Sequence, residues 1–407
     1  MYTSGTPVKN IFLVVFSILF VFVVTLCADR LLGVLLRPPN LPDTVELIFP
    51  PFAEQHFKTI EFEYTANINS IGIRDRELPK ARGDVFRILA IGDSYTYGWG
   101  VDQEETWPYL LEMQLREEGH TVEILNLGKP GTGPPFYAEL AERAIPLLRP
   151  DLVIVGMLQG NDLRDAGPET SMPTTKDFWR GVRRLYPNIA GMMRDMQREH
   201  VEEGQTHEKM PPQVTTAEDN RRWTANAAAK FVENMSEEQL ARFEALEEKV
   251  KTAFLEGNLN PYMIDLAIQD PDAYTKATDP DDPWTQVCID RAAARFTSIK
   301  SVADKYNCQV VVVVIPEGPY VNETALENMA RVGYVMPDWL LETNGIDRSI
   351  QIACEKSGLP FFAVTEQFRE HKEVSDLYFE LDGHPTPKGN RLFVEAVKPA
   401  IKSLIKK

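Results

Sequence analysis

The sequence predicts an α/β fold built around a parallel sheet, and three observations carry that expectation. Five apolar runs stand out, 86–91 (FRILAI), 122–127 (VEILNL), 152–158 (LVIVGML), 309–315 (QVVVVVI) and 360–364 (PFFAV). They are near-continuous and rich in β-branched residues rather than alternating, which marks strands covered on both faces. The segments between them are long enough to hold the helices that parallel strands need for their crossovers.

The N-terminus obeys a different rule. Ile11 to Ala28 reads IFLVVFSILFVFVVTLCA, with no charge and only Ser17 and Thr25 carrying hydroxyls. As a helix it spans roughly 27 Å, the thickness of a bilayer's hydrocarbon core. Lys9 before it suits a signal sequence or an N-in anchor, while Arg30 and Arg37 after it weaken the orientation signal. No A-x-A site follows, and no small residues precede Cys27 as a lipoprotein site needs, so the expectation is an uncleaved anchor with the remaining chain outside the cytoplasm.

The 407 residues are 43% hydrophobic and 25% charged, a globular composition. A net charge of −17 excludes the basic footprint of a nucleic-acid binder. Cys27, Cys288, Cys308 and Cys354 show no metal-ligand spacing and are expected to act as small hydrophobes.

After the anchor, Arg37 to Asp43 (RPPNLPD) reads as an extended spacer. Phe57 to Asp75 alternates well enough for short antiparallel strands, an added ribbon. Between the third and fourth runs lies an insertion, roughly 166–300. In it Ser236 and Gln239 form a capping box, Leu240, Phe243, Val250 and Phe254 make one stripe, and Gly257 stops a single helix. Upstream, Phe178, Trp179, Val182, Leu185 and Met192 lie beside Arg180, Arg183, Arg184 and Arg194. The expectation there is a helix packed on its apolar side with solvated arginines, in preference to a lid or a membrane-facing surface. The last element opens on Thr386 as N-cap and Pro387 as first helical residue, with Phe393, Val397, Ile401 and Leu404 on a stripe and Pro399 as a candidate kink.

Open parallel sheets gather their chemistry at the carboxyl ends of the strands. Gly92-Asp93-Ser94 follows the first run, and Asn126 to Gly133 (NLGKPGTG) closes the second. Asn161 and Asp162 follow the third, and Asp382 and His384 come after the fifth. These supply a hydroxyl, free amide donors, a side-chain amide, and a carboxylate beside an imidazole. Acyl transfer needs that set. Imidazole takes the serine proton, the carboxylate holds the imidazole's tautomer, and preset donors meet the charge on the tetrahedral oxygen.

Taken together these blocks resemble the SGNH or GDSL hydrolase family. Ser94 sits in GDS, Gly131 in NLGKPG, Asn161 in GND and His384 in DGHP. The resemblance covers about 85–165 and 305–405. It implies a three-layer, flavodoxin-like parallel sheet; the anchor, the ribbon and the insertion lie outside it, and the chain is expected to divide into 1–36 as membrane anchor or signal segment, 37–84 as linker and β-ribbon, and 85–407 as the hydrolase domain interrupted by a mainly helical insertion at about 166–300. It also implies Ser94 as nucleophile, His384 as base, and the Ser94 and Gly131 amides with the Asn161 side chain as oxyanion hole. The common Asp-x-x-His spacing is shortened here to Asp-x-His. Some branches, including alginate-acetylation proteins, share that spacing, so Asp382 is kept as the orienting carboxylate, with Asp376 a distant substitute.

Other motifs are missing. Thr96 stands where a G-x-S-x-G elbow needs glycine, no HExxH occurs, and GKPGTG lacks the Lys-Ser/Thr ending of a P-loop. No cofactor or metal is expected. Trp99 and Trp107 are expected in the core in preference to walling the site, and the histidines at 56, 120, 200, 207 and 371 at the surface. The expected activity is a serine esterase acting on O-acyl esters, including O-acetyl esters of cell-envelope glycans or lipids, and held to the membrane through residues 11–28. Two alternatives use the same fold: an O-acyltransferase to a sugar hydroxyl, and a catalytically silent binding protein.

Overall fold

The structure is a computed structural model that describes residues 6–35, 44–166, 186, 189 and 214–405. The chain divides into two compact units, Met1–Asn40 with Glu169–Met210, and Leu41–Pro168 with Pro211–Lys407.

In the first unit the apolar run forms one helix, Thr6–Leu35, which continues past the expected end at Ala28. Leu13–Leu31 has a mean hydropathy of 2.2, and among the described residues this is the one helix long and apolar enough to cross a membrane. Near its end Asp29 is buried and accepts the Ile189 N–H at 2.8 Å. Apart from Tyr186 and Ile189, the arginine-rich stretch around Phe178–Arg194 lies outside the described residues.

The second unit opens with the ribbon. β1 (Glu54–Lys58) and β2 (Glu63–Asn67) pair antiparallel with Phe57 opposite Tyr64, and Val214–Thr215 adds a short parallel partner to β1. The five apolar runs then form β3 (Phe86–Gly92), β4 (Val122–Gly128), β5 (Leu152–Leu158), β6 (Gln309–Ile315) and β7 (Phe361–Ala363). All pair parallel, in the order β4-β3-β5-β6-β7. Strand order reverses between β3 and β5, the switch point where doubly wound sheets open a crevice.

Alternate strand residues serve two separate cores, which is why the runs are apolar throughout. Ile88, Ala90, Ile124, Ile154, Val311 and Val313 pack against the helices Trp107–Glu117 and Pro387–Leu404. Leu89, Ile91, Leu125, Val153, Val155 and Val312 face the helices Pro134–Leu148, Pro283–Lys305 and Gly345–Ser357. The result is a three-layer sandwich. Thr386 caps the last helix through the Gly389 N–H, and Pro399 sits inside that helix without ending it.

Two helical expectations change. The helix expected from Ser236 to Gly257 is two helices, Glu237–Glu244 and Glu248–Leu255. The Ser236–Gln239 capping box is present, but Glu247 is extended and gives its carboxylate to Arg331, while Phe243 and Phe254 still meet with ring centroids 5.6 Å apart. Pro283–Lys305 falls mostly inside the range read as insertion, yet it belongs to the main core. Cys288, Ala292, Phe296, Ile299 and Ala303 recur at helical spacing and are buried there, so this helix is the crossover between β5 and β6.

Candidate active site

β3 ends at Gly92, and Asp93 caps the short helix Ser94–Tyr97 by accepting the Tyr95 N–H at 3.0 Å. Ser94 is the first residue of that helix and stands half-buried at the carboxyl edge of the sheet. The helix lies hard on the end of β4: a Cβ at Gly128 would sit 2.1 Å from the Tyr97 nitrogen, so only glycine fits. Arg74, fully buried between the Tyr64 and Tyr97 rings, binds the loop that follows. Its guanidinium donates to the carbonyls of Tyr97 (3.0 Å), Gly98 (2.6 Å) and Val101 (2.6 Å).

The structure brings Ser94, His384 and Asp382 into one line. His384 Nε2 lies 2.7 Å from Ser94 Oγ, and its Nδ1 lies 2.5 Å from Asp382 Oδ1. Both His384 and Asp382 are buried. The single residue between them is Gly383 with φ +77°, a left-handed turn that folds the carboxylate back onto the ring. Burial by itself would lower the His384 pKa. The Asp382 charge and hydrogen bond, with Asp93 and Glu317 further off, outweigh it and raise the pKa above its ordinary value. The substitute carboxylate is elsewhere, since Asp376 is exposed and pairs with Lys388 at 2.7 Å.

Gly131 and Asn161 follow β4 and β5, the two strands that flank β3. Among the described residues, its chain neighbours aside, nothing lies within 4 Å of a Cβ built at Gly131. Its φ of +70° is what asks for glycine. Asn161 is half-buried, and its Oδ1 has no hydrogen-bond partner among the described residues. The turn beneath it is pinned. Asp162 is buried, accepts the Tyr137 hydroxyl at 2.9 Å and the Leu158 N–H at 2.9 Å, and is pushed well up from its usual range by burial.

Three further residues meet this line or the turn beside it. Trp99, expected in the core, donates its indole N–H to Asp382 Oδ2 at 3.3 Å and lies 6.3 Å from the His384 ring. Trp107 does belong to the core, against Phe393. Glu317 follows β6 after Pro316. It is buried, takes the Tyr274 hydroxyl at 2.7 Å, and lies against Gly160 beside Asn161. Its N–H donates to Gln159 Oε1, and Gln159 in turn reaches Asp347 and Thr365, which fixes the strand end that presents Asn161. The third residue is Glu61, from the ribbon, whose carboxylate accepts the Leu381 and Asp382 N–H groups. No pattern in a single sequence points to it.

Cys288, Cys308 and Cys354 are buried and unbonded, and burial pushes their thiols up to about 11, 12 and 12. His56 pairs with Glu63 on the ribbon, His371 is exposed, His120 is half-buried, and His200 and His207 lie outside the described residues. Among the described residues no cluster of three or more His, Cys, Asp and Glu is placed to hold a metal ion.

Residues 90–266 match the GDSL-like Lipase/Acylhydrolase family. The match takes in Ser94, Gly131 and Asn161 and stops short of Asp382 and His384. Solved structures similar to the chain include a GDSL-like lipase from Bacteroides thetaiotaomicron (12% identity over 81% of this chain and 93% of that one, TM-score 0.34). Others are the psychrotrophic esterase EstA from Pseudoalteromonas sp. (9%, 78% and 97%, 0.35) and a lipase/acylhydrolase from Enterococcus faecalis (12%, 79% and 97%, 0.35). No curated protein matches the chain.

Proposed function

We propose, from the premise that this chain carries a GDSL-like lipase/acylhydrolase domain, that it is a serine esterase working through an acyl-enzyme. The observation that carries the reading is the 2.7 Å contact of His384 Nε2 with Ser94 Oγ, completed by Asp382 on Nδ1. In that geometry Ser94 Oγ attacks the ester carbonyl as its proton passes to Nε2. Asp382 keeps Nδ1 protonated and offsets the imidazolium charge. The Ser94 N–H, which has no intrahelical acceptor, would meet the tetrahedral oxygen together with the Gly131 N–H and the Asn161 side chain. Nε2 then protonates the leaving alcohol, takes a proton from water, and the acyl-enzyme is hydrolysed.

The substrates are O-acyl esters. The apolar helix supports placement at a membrane; the reading puts the catalytic unit outside the cytoplasm, with acylated envelope glycans or lipids as substrates. The test is hydrolysis of p-nitrophenyl acetate by the purified protein. Ser94→Ala should abolish it, and turnover that survives that substitution would remove Ser94 from the role. Adding a sugar acceptor and analysing the products separates hydrolysis from transfer.

A further inference from the structure

The Asp-x-His turn is held from outside the parallel sheet. Glu61, in the loop between β1 and β2, directs its two carboxylate oxygens at the Leu381 N–H (2.9 Å) and the Asp382 N–H (2.8 Å). Phe62, next in the chain, packs on Phe379 with ring centroids 5.0 Å apart, and Arg331 pairs with Glu380 from the other side. Successive residues from 379 to 382 are therefore gripped by neighbours remote in sequence. Of these grips, the Glu61 carboxylate reaches the backbone of the residue that orients His384.

We infer that Glu61 is a positioning residue, whose ionised carboxylate fixes the Asp382 backbone and through it the Asp382–His384 hydrogen bond. A carboxylate accepts both N–H groups. A neutral carboxyl turns one oxygen into a hydroxyl and so surrenders part of that grip. The residue is half-buried, and its carboxylate is turned inward onto the two N–H groups. Burial and the Asp382 charge, against the two N–H bonds, push it up to about 7. The charged groups around it are Asp382 behind and Glu248, Lys249, Glu256 and Glu380, which with Glu61 line an open cavity of about 480 Å³ that lets solvent protons reach the carboxyl. Full activity then needs two groups deprotonated, His384 and Glu61, and the acid limb of the rate profile steepens where Glu61 titrates.

The kinetic half of this inference rests on the esterase reading; the backbone half does not. Two measurements on wild type, Glu61→Gln and the ribbon control Glu63→Gln test it. The first is kcat and KM for p-nitrophenyl acetate against pH. The second is hydrogen exchange of the peptide spanning 377–386. In wild type, log kcat should fall with a slope above one as Glu61 protonates, an extra drop of about tenfold, before returning to a slope near one at lower pH, whereas Glu61→Gln should show no such extra step. Glu61→Gln should also lose about tenfold in kcat at pH 8 with KM nearly unchanged, and exchange that peptide about tenfold faster. Glu63→Gln should match wild type in each. Unchanged exchange in Glu61→Gln overturns the clamp, and a wild-type acid limb whose slope never exceeds one overturns the need for its ionisation even where the variant does not fold. A wild type without turnover removes the esterase reading instead, and the exchange measurement still decides the clamp.

Discussion

Trp99 donates its indole N–H to Asp382 Oδ2 across 3.3 Å, bridging 283 positions of sequence. Asp382 gives its other oxygen to His384, so each carboxylate oxygen has a fixed partner. Trp99 is itself set by rings, with Phe57 at 5.1 Å and Tyr64 at 6.1 Å between centroids. Trp99→Phe keeps the ring packing and removes the donor. A hydrogen bond to a charged group is worth about 1.5–3 kcal/mol, so kcat for p-nitrophenyl acetate should fall about tenfold with KM nearly constant. The freed oxygen leaves more charge facing His384, and the acid limb should move to higher pH. A rate equal to wild type would show that the indole only fills space.

The pH dependence has a definite sign. His384 must be neutral to accept the Ser94 proton, and its pKa is raised, so activity should climb with pH through a midpoint above the ordinary histidine value of about 6.5. Asp382→Asn removes the charge that raises it. In that variant the midpoint should drop, and kcat should fall by roughly 10⁴-fold because the ring no longer holds the productive tautomer. A midpoint that does not move would mean the shift has another source.

Asn161 presents a side-chain amide from the end of β5, and the turn that carries it is locked through Asp162 and Gln159. Asn161→Ala should therefore leave the loop standing while deleting one donor to the tetrahedral oxygen. The expected loss is about a hundredfold or more in kcat with little change in KM. A defect confined to KM would assign Asn161 to binding.

How far the residues spoke for themselves varies by element. Val310 to Val314 and Leu152 to Leu158 are legible as strands because a sheet covered on both faces needs apolar residues at every position. Ser94 and Asn161 stand out as candidates because chemistry in such sheets lies just past a strand end, a place that can be read along the chain, whereas His384 lies well beyond β7, past the helix Thr365–Arg369, and stands out only by its DGHP block. Glu317 is equally legible by that rule. Trp99, Glu61 and Arg74 are not, because their roles arise where the ribbon meets the catalytic turns, and no periodicity links positions so far apart. The break at Ala245–Glu247 was hidden for a related reason. Phe243, Val250 and Phe254 keep a helical stripe across it, so the pattern reads as one helix while the backbone makes two.

Gly128→Ala tests the seat of Ser94. The added methyl would overlap the backbone of Tyr97 rather than a movable side-chain tip, so neither β4 nor the Ser94 helix can relax cheaply. Overpacking of this kind costs about 1–3 kcal/mol or more. The melting temperature should fall, and the surviving folded fraction should be slow because Ser94 is displaced from His384. A variant with native stability and rate would mean that the helix can move away from β4 without harm.

The last prediction concerns stability against pH. Burial pushes Asp75 up to about 7, although it accepts the Asn126 and Arg76 N–H groups, and Asp93 is shifted upward by burial as well. Glu61 joins them at about 7. In the unfolded chain such groups ionise near 4, so between about pH 4 and 7 the folded protein holds more protons than the unfolded one. Stability then falls as pH rises through that window. The raised His384 pKa acts with the same sign, since its protonated form is the one the fold favours. The opposing groups finish their work earlier. Glu118, drawn down to about 2 by Lys398 and Lys402, adds stability that is complete by about pH 5. Thermal melts should therefore show a midpoint several degrees higher at pH 5 than at pH 8. Asp75→Asn, which cannot ionise, should flatten that slope. A melting temperature that climbs from pH 5 to 8 would mean these buried carboxyls are ionised throughout, with solvent or cations reaching them.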